Sequence, residues 1–431
     1  MELPLEGAGR VALLIAALAV ASVVSYQGVR DAVADYGVDS GEMRWTERAA
    51  RLEPGNGEAW DHLGRLKQFD FSNPDPSEAI AAYSKAVRDD PNSAHYWMDL
   101  SSAYEAAGDL QQARGALDRA KSVYPLSAEV AWNYGNFLLR EQKLPEGYAE
   151  IRRALESDES LLSQAISRTW RSSHDVNQLL DQVLPADLDS YFQALNYFGS
   201  IHEPEPELEV WQRLLQMGKP FELKRAFPLI DSLIAEDRAA DTRRAWGEAL
   251  TAAGISHEEG GDKRLIWNGD FAHEFLNGGL DWRWSPPVGV ALDFETAPAL
   301  HGVRALRLDF GGGTNLELYE PQQFVPVEPK QTYRFHAFMR TESLTTESGM
   351  RFSVYDPNHP GVVTLETQNL RGTTPWTLLE NELKTGPETH FLCVRLFRTQ
   401  SRMFEGRLSG AAWIADVSLE AVRAEPGKSS R

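Results

Sequence analysis

Cysteine is almost absent from this chain of 431 residues: Cys393 stands alone, so no intramolecular disulfide staples the fold. Such a chain suits either a reducing compartment or an exported protein that does without bridges. Positive charge is also scarce. Lys and Arg number 43 against 63 Asp and Glu, a formal net charge of -20, and no basic stripe offsets it, which argues against a nucleic-acid backbone as partner. His273, His301, His336, His359 and His390 show no H-x-x-x-H spacing and have no cysteine partners, so they predict no zinc site. Phosphate-loop, nucleophile-elbow and dinucleotide fingerprints are missing; Gly311-Gly312-Gly313 runs into Thr314-Asn315-Leu316-Glu317, which does not open a helix. No carboxylate pair is marked out for glycosidase chemistry. The sequence therefore reads as a non-enzyme without a cofactor.

One long apolar run is present. Val11 to Tyr26 is interrupted only by Ser22 and Ser25, and continued to Val29 it gives a helix of about 28 Å, close to the roughly 30 Å hydrocarbon core of a bilayer. Arg10 precedes it, opposed by Glu2 and Glu6, a weak positive-inside bias that places residues 1–10 in the cytoplasm, 11–29 in the inner membrane and the rest in the periplasm. Ala19-Val20-Ala21 also fits a signal-peptide cleavage site, in which case the chain is secreted.

Beyond the run, apolar residues recur at helical spacing. In the stretch 97–125, Trp97, Leu100 and Tyr104 form one stripe, Gly108-Asp109 breaks it, and Ala113, Leu117 and Ala120 form a second before Pro125. Two short helices folded back on each other satisfy that spacing, the alanines letting the axes approach. The pattern resembles the tetratricopeptide repeat, with Ser101 where Gly or Ala is usual. Trp60, Leu63, Gly64, Ala79, Tyr83, Ala86 and Pro91 make a preceding unit, and Tyr134, Gly135, Leu138, Gly147, Ile151 and Ala154 a following one. Trp45, Ala49 and Pro54 mark one helix of an incomplete leading repeat. Repeats are expected over 40–160 and degenerate helical repeats with a cap over 161–255.

The resemblance implies a concave surface lined by the first helix of each pair. Carried onto this chain, its positions are Glu58, Asp61 and Arg65, then His95, Met98, Ser102 and Glu105, then Glu129, Trp132, Asn136 and Arg140. This acidic mixture suits a basic or extended protein segment, and equally a solvated face.

After a polar linker at 256–262 the apolar period shifts from three or four to two, as in Tyr333, Phe335, Ala337 and Met339. About eight strands in 263–423 predict an antiparallel β-sandwich, followed by a disordered tail at 424–431. The opening LIWNGDF, the GLDWRW segment from Gly279 to Trp284 and the closing WIADVSLE resemble jelly-roll carbohydrate-binding modules of galactose-binding-like fold. That resemblance implies a polysaccharide ligand and a structural calcium, for which Asp416 is a candidate ligand, although Ala272 and Ala415 stand where carboxylates are usual. Trp282 and Trp284 alternate and form either an outward sugar platform or part of the core; Tyr319, Trp376 and Phe404 are further candidates for the same cleft. Cys393, in step with Phe391 and Phe397, reads as a core thiol.

The combined expectation is a multidomain chain: a membrane helix, an all-α solenoid and an all-β jelly-roll sandwich. It would serve as a membrane-anchored adaptor between a protein partner and a glycan, in export or assembly of a bacterial surface polysaccharide, or as a protein-protein scaffold in which the sandwich is structural.

Overall fold

A computed structural model describes residues 7–70, 73–255, 264–297, 300 and 302–422. The predicted linker lies outside these residues, as does the C-terminal tail. Compactness divides the chain into two units, Met1–Pro185 and Ala186–Arg431.

The first unit is built of helix pairs. α1 (Gly7–Asp39) packs on α2 (Met43–Leu52), α3 (Gly57–Gln68) on α4 (Pro76–Asp89), α5 (Ala94–Ala106) on α6 (Leu110–Val123), and α7 (Ala128–Arg140) on α8 (Leu144–Ser157). Shorter helices α9 (Leu162–Ser173) and α10 (Val176–Gln178) follow, the latter continuing as a π-helical turn to Val183.

Within a pair the axes meet where one helix lacks a side chain. A Cβ added to Gly64 would stand 2.6 Å from the Tyr83 ring, and one on Gly135 would stand 2.8 Å from Ile151. Between units, the leading tryptophans reach back to the preceding proline: Trp60 Nε1 donates to Pro54 O at 3.0 Å and Trp97 Nε1 to Pro91 O at 2.9 Å. First helices are capped by Asn56, Ser93 and Ser127, whose side-chain oxygens accept from the third helical N–H.

The leading repeat is complete, contrary to the sequence expectation. Its first helix is the C-terminal part of α1, where Ala34 and Val38 are buried with Ala49 and Ala50, and Gly37 lies against Trp45 O and Ala49. The preceding turns, from Val11 to Val29, expose their apolar side chains. Residues 9–39 are long and apolar enough to span a membrane or serve as a signal sequence, with a mean hydropathy of 1.9 in their most apolar window. The anchor candidate and the first repeat helix are thus one continuous rod of 33 residues.

In the second unit, α11 (Leu188–Ser200), α12 (Pro204–Gln216), α13 (Phe227–Ala235) and α14 (Ala239–Ala252) precede an antiparallel sandwich. Among the described residues its nine strands are β1 (Val290–Ala297), β2 (Val303–Gly311), β3 (Gln322–Pro326), β4 (Thr332–Leu344), β5 (Arg351–Tyr355), β6 (Thr364–Glu366), β7 (Gly372–Lys384), β8 (Phe391–Phe397) and β9 (Ser409–Ala421). They form sheets of order β1-β2-β9-β4-β7 and β3-β8-β5-β6. Leu306, Leu308, Phe335, Met339 and Ile414 from one sheet meet Val325, Phe352, Val354, Leu392, Val394 and Leu396 from the other in a shared core. The helical cap and the sandwich form one compact unit, whereas the sequence boundary falls between them.

Two predictions follow from the helical packing. Gly64→Ala lowers the melting temperature by overpacking worth about 1–3 kcal/mol, whereas Gly115→Ala on the open face of α6, where nothing stands within 4 Å, raises it by up to about 1 kcal/mol. The carboxyl of Glu207 on α12 is pushed up to about 7 by burial, opposed by the hydrogen bond from Ser232 Oγ. The folded state holds that proton more tightly than the unfolded one, so this group's contribution to stability falls as pH rises from about 4.5 through 7. Glu207→Gln should therefore stabilise at pH 8 by on the order of 1–3 kcal/mol and change little at pH 4, as read from thermal melts at both pH values.

Candidate functional site

The first helices of three successive repeats present a linked set of polar side chains. On α3, Arg65 Nη2 donates to Asp61 Oδ2 at 2.5 Å, while its Nε stands 3.5 Å from Asp99 Oδ2 on α5. His95 Nε2, four residues before Asp99, lies 3.5 Å from the same Asp99 oxygen and 4.0 Å from Asp61 Oδ2. One turn along, Gln68 Nε2 donates to Ser102 Oγ at 2.9 Å, and Gln68 Oε1 accepts from Tyr83 Oη at 3.1 Å. Arg140 on α7 grips Glu105 on α5 with two bonds of 2.6 and 2.8 Å. Asn136 Nδ2 donates to Trp132 O at 2.8 Å.

The charge balance of this surface is acidic. Glu58, Asp61, Asp99, Glu105 and Glu129 face two guanidinium groups, Arg65 and Arg140, both engaged by carboxylates already. Burial and the neighbouring Asp61 push the Asp99 carboxyl up to about 6, against the pull of His95 and Arg65. Glu58 also borders an open cleft of about 620 Å³ lined by Glu53, Asp89 and Asp90, with Arg30 as the cation among its lining residues.

Most of the expected groove residues are accessible: Glu58, His95, Ser102, Glu129 and Arg140 are exposed, and Arg65, Glu105, Trp132 and Asn136 are partly so. Met98 is a correction, since it is buried with Val130, Tyr134 and Phe137 as the next repeat closes over it. Asp61 is fully buried yet belongs to the polar cluster. Sequence reasoning missed Asp99 and Gln68; the i,i+4 spacing of Asp99 from His95 was the available signal.

The sandwich does not gather its aromatic candidates into a cleft. Trp282 is 1% exposed, stacked among Phe271 and Phe275 with its Nε1 donated to Asn268 O, so the outward platform is not formed. Trp284 is half-buried against the core. Tyr319 packs on Phe397 at the four-stranded sheet, whereas Trp376 packs on Ala305 and Ala415 on the outer face of the five-stranded sheet. Phe404 is wholly exposed. Asp416 accepts from Arg264 at 3.0 Å and lies 3.3 Å from His336 Nε2, basic neighbours that do not fit a calcium ligand.

Helices cover part of the four-stranded sheet instead. Leu392, Val394 and Leu396 point into the core, so Phe391 and Cys393 point outward, yet neither is exposed. Asp237, between α13 and α14, engages His390 Nδ1 at 2.6 Å and Asn358 Nδ2 at 2.7 Å. Arg283 bonds Asp231 and lies over Phe324, Arg243 donates to Pro326 O, and Gly279 lets Trp246 approach.

A family model for the tetratricopeptide repeat matches residues 71–122 and 99–160, so this part of the chain consists of such repeats, which bind protein or peptide partners. No curated protein matches the chain. Among solved structures, YrrB, described as a TPR protein with an unusual peptide-binding site, is similar at 16% identity over 40% of this chain and 75% of that one, with a TM-score of 0.25. MamA is 14% identical over 47% and 95%, TM-score 0.24. PilF of Pseudomonas aeruginosa is 14% identical over 52% and 90%, TM-score 0.30.

The covered sheet gives a direct prediction from the single cysteine. Burial pushes the Cys393 thiol up to about 11, so the native chain at pH 8 resists thiol-specific labelling, and the Asp237→Ala Arg283→Ala double variant labels at least about tenfold faster because local opening exposes the strand. Equal labelling rates in the two proteins would show that these contacts do not hold the cap down.

Proposed function

We propose that a chain carrying these tetratricopeptide repeats is a membrane-anchored scaffold whose repeat groove holds an extended, basic segment of a partner protein. The observation that carries this reading is the unbalanced charge across α3, α5 and α7. Arg65 and Arg140 are paired internally, which leaves Glu58, Glu129 and part of the Asp99 charge facing outward. A chain of net charge -20 adds long-range attraction for a cationic partner.

The apolar turns of α1 supply the anchor, and Arg10 ahead of them supports a cytoplasmic N-terminus with the repeats on the periplasmic side of an inner membrane. Because α1 runs unbroken into the first repeat, the anchor orients the groove as well as tethering it. The sandwich acts as a structural partner of its helical cap and not as a catalyst. A glycan-binding role, with the surface-polysaccharide setting that went with it, loses its main support once Trp282 is core and Phe391 and Cys393 are covered.

The test is a panel of basic, neutral and acidic extended peptides titrated against the full chain in detergent. Basic peptides should bind, and the exposed-site variant Glu58→Lys Glu129→Lys should weaken them by at least about tenfold. Affinity should also fall as salt screens the groove. Equal binding of all peptide classes, or basic-peptide binding unchanged by the double reversal, would refute the reading.

A further inference from the structure

We propose that Asp61, His95 and Asp99 form a binding site for a divalent transition-metal ion of zinc's ligand preference, joining the first helices of two consecutive repeats. The inference stands apart from the peptide-binding reading and does not depend on it.

The ligand atoms already cluster. One oxygen from each aspartate and a His95 ring nitrogen lie within 4.8 Å of one another. His95 Nε2 is 3.5 Å from Asp99 Oδ2 and 4.0 Å from Asp61 Oδ2. Zinc bonds of 2.0–2.1 Å in tetrahedral geometry require ligand atoms about 3.4 Å apart; His95 is already near that distance from Asp99, and a closure of up to about 1.4 Å within the 4.8 Å cluster brings all three ligands onto the ion. Three protein ligands leave a fourth position for water or a donor from outside the chain.

The cluster is also left unsatisfied by its own cation. Asp61, with its side chain 1% exposed, has an Oδ1 that is buried and without a hydrogen-bond partner, and Asp99 Oδ2 and Arg65 Nε are in the same state. One guanidinium against two carboxylates leaves one negative charge in a desolvated place. A dication corrects that imbalance. The Arg65 side chain, 42% exposed, has room to turn to solvent as the metal takes its place. Binding uses ionised carboxylates and neutral imidazole, so any proton held on the cluster is released to water.

The experiment uses the full chain in detergent, without a histidine tag, titrated with cobalt(II) chloride and followed by its visible d–d absorption. Zinc chloride is then titrated in competition with a chromophoric chelator. One equivalent should bind. Loss of a ligand costs no less than the tenfold to hundredfold typical of outer-shell changes, so His95→Ala, an exposed position, should weaken binding by at least about tenfold while the circular dichroism stays unchanged. Arg65→Ala should tighten binding, since it removes the competing cation and keeps all three ligands; a merely structural cluster would show no such gain. Absence of a cobalt spectrum, zinc binding unaffected by His95→Ala, or weaker binding in a folded Arg65→Ala protein would each overturn the proposal.

Discussion

The close approach of paired helices, allowed where one of them has no side chain, is the constraint on which the rest of the repeat unit depends. Gly64 accepts the ring of Tyr83 and Gly135 accepts Ile151, and Gly37 brings α1 equally near to α2. With the pairs drawn together at these points, each following first helix can lie beside the last, and the tryptophan-to-proline hydrogen bonds of Trp60 and Trp97 set the turn between them. The polar ladder follows from this spacing. Arg65 reaches Asp99, Gln68 reaches Ser102 and Arg140 reaches Glu105 because α3, α5 and α7 are held side by side.

That arrangement connects packing to recognition. A surface made of short, regularly spaced first helices offers carboxylates at fixed intervals, and its few cations are consumed in holding neighbours together. What remains is acidic and partly desolvated, which suits a cationic chain segment at the exposed rim and a metal ion at the buried Asp61. In the second unit the same economy of exposed surface takes another form: α14 packs on β3 at the edge of the four-stranded sheet, and the turn between α13 and α14 engages His390 and Asn358.

Much of this was legible in the sequence, because the features responsible are local. The spacing of Trp, Gly, Ala and Pro located α3 to α8, and the shift to period two marked the sandwich, with Tyr333, Phe335, Ala337 and Met339 all on β4. Three things were hidden. The first helix of the leading repeat is masked because apolar Val11 to Val29 and amphipathic Ala34 to Val38 belong to one unbroken helix, so hydropathy shows only the stronger signal. Alternation separates Trp282 from Arg283 but cannot say which side faces the core; that follows from distant partners, Asn268 O for Trp282 and Asp231 for Arg283. The docking of the cap depends on Asp231 and Asp237 meeting residues 52 to 153 positions away, and on Trp246 meeting Gly279, pairings that no local period records.

The central claim, that the first-helix surface is where a partner is held, is tested most directly by site-specific photo-crosslinking of the full chain in the cells that produce it. A crosslinking side chain at Ser102, on the groove side of α5, should capture one defined protein, and the same group at Arg119 on the exposed face of α6 should capture none. Capture from Arg119 but not from Ser102 would contradict the account and place the binding surface on the opposite side of the repeats.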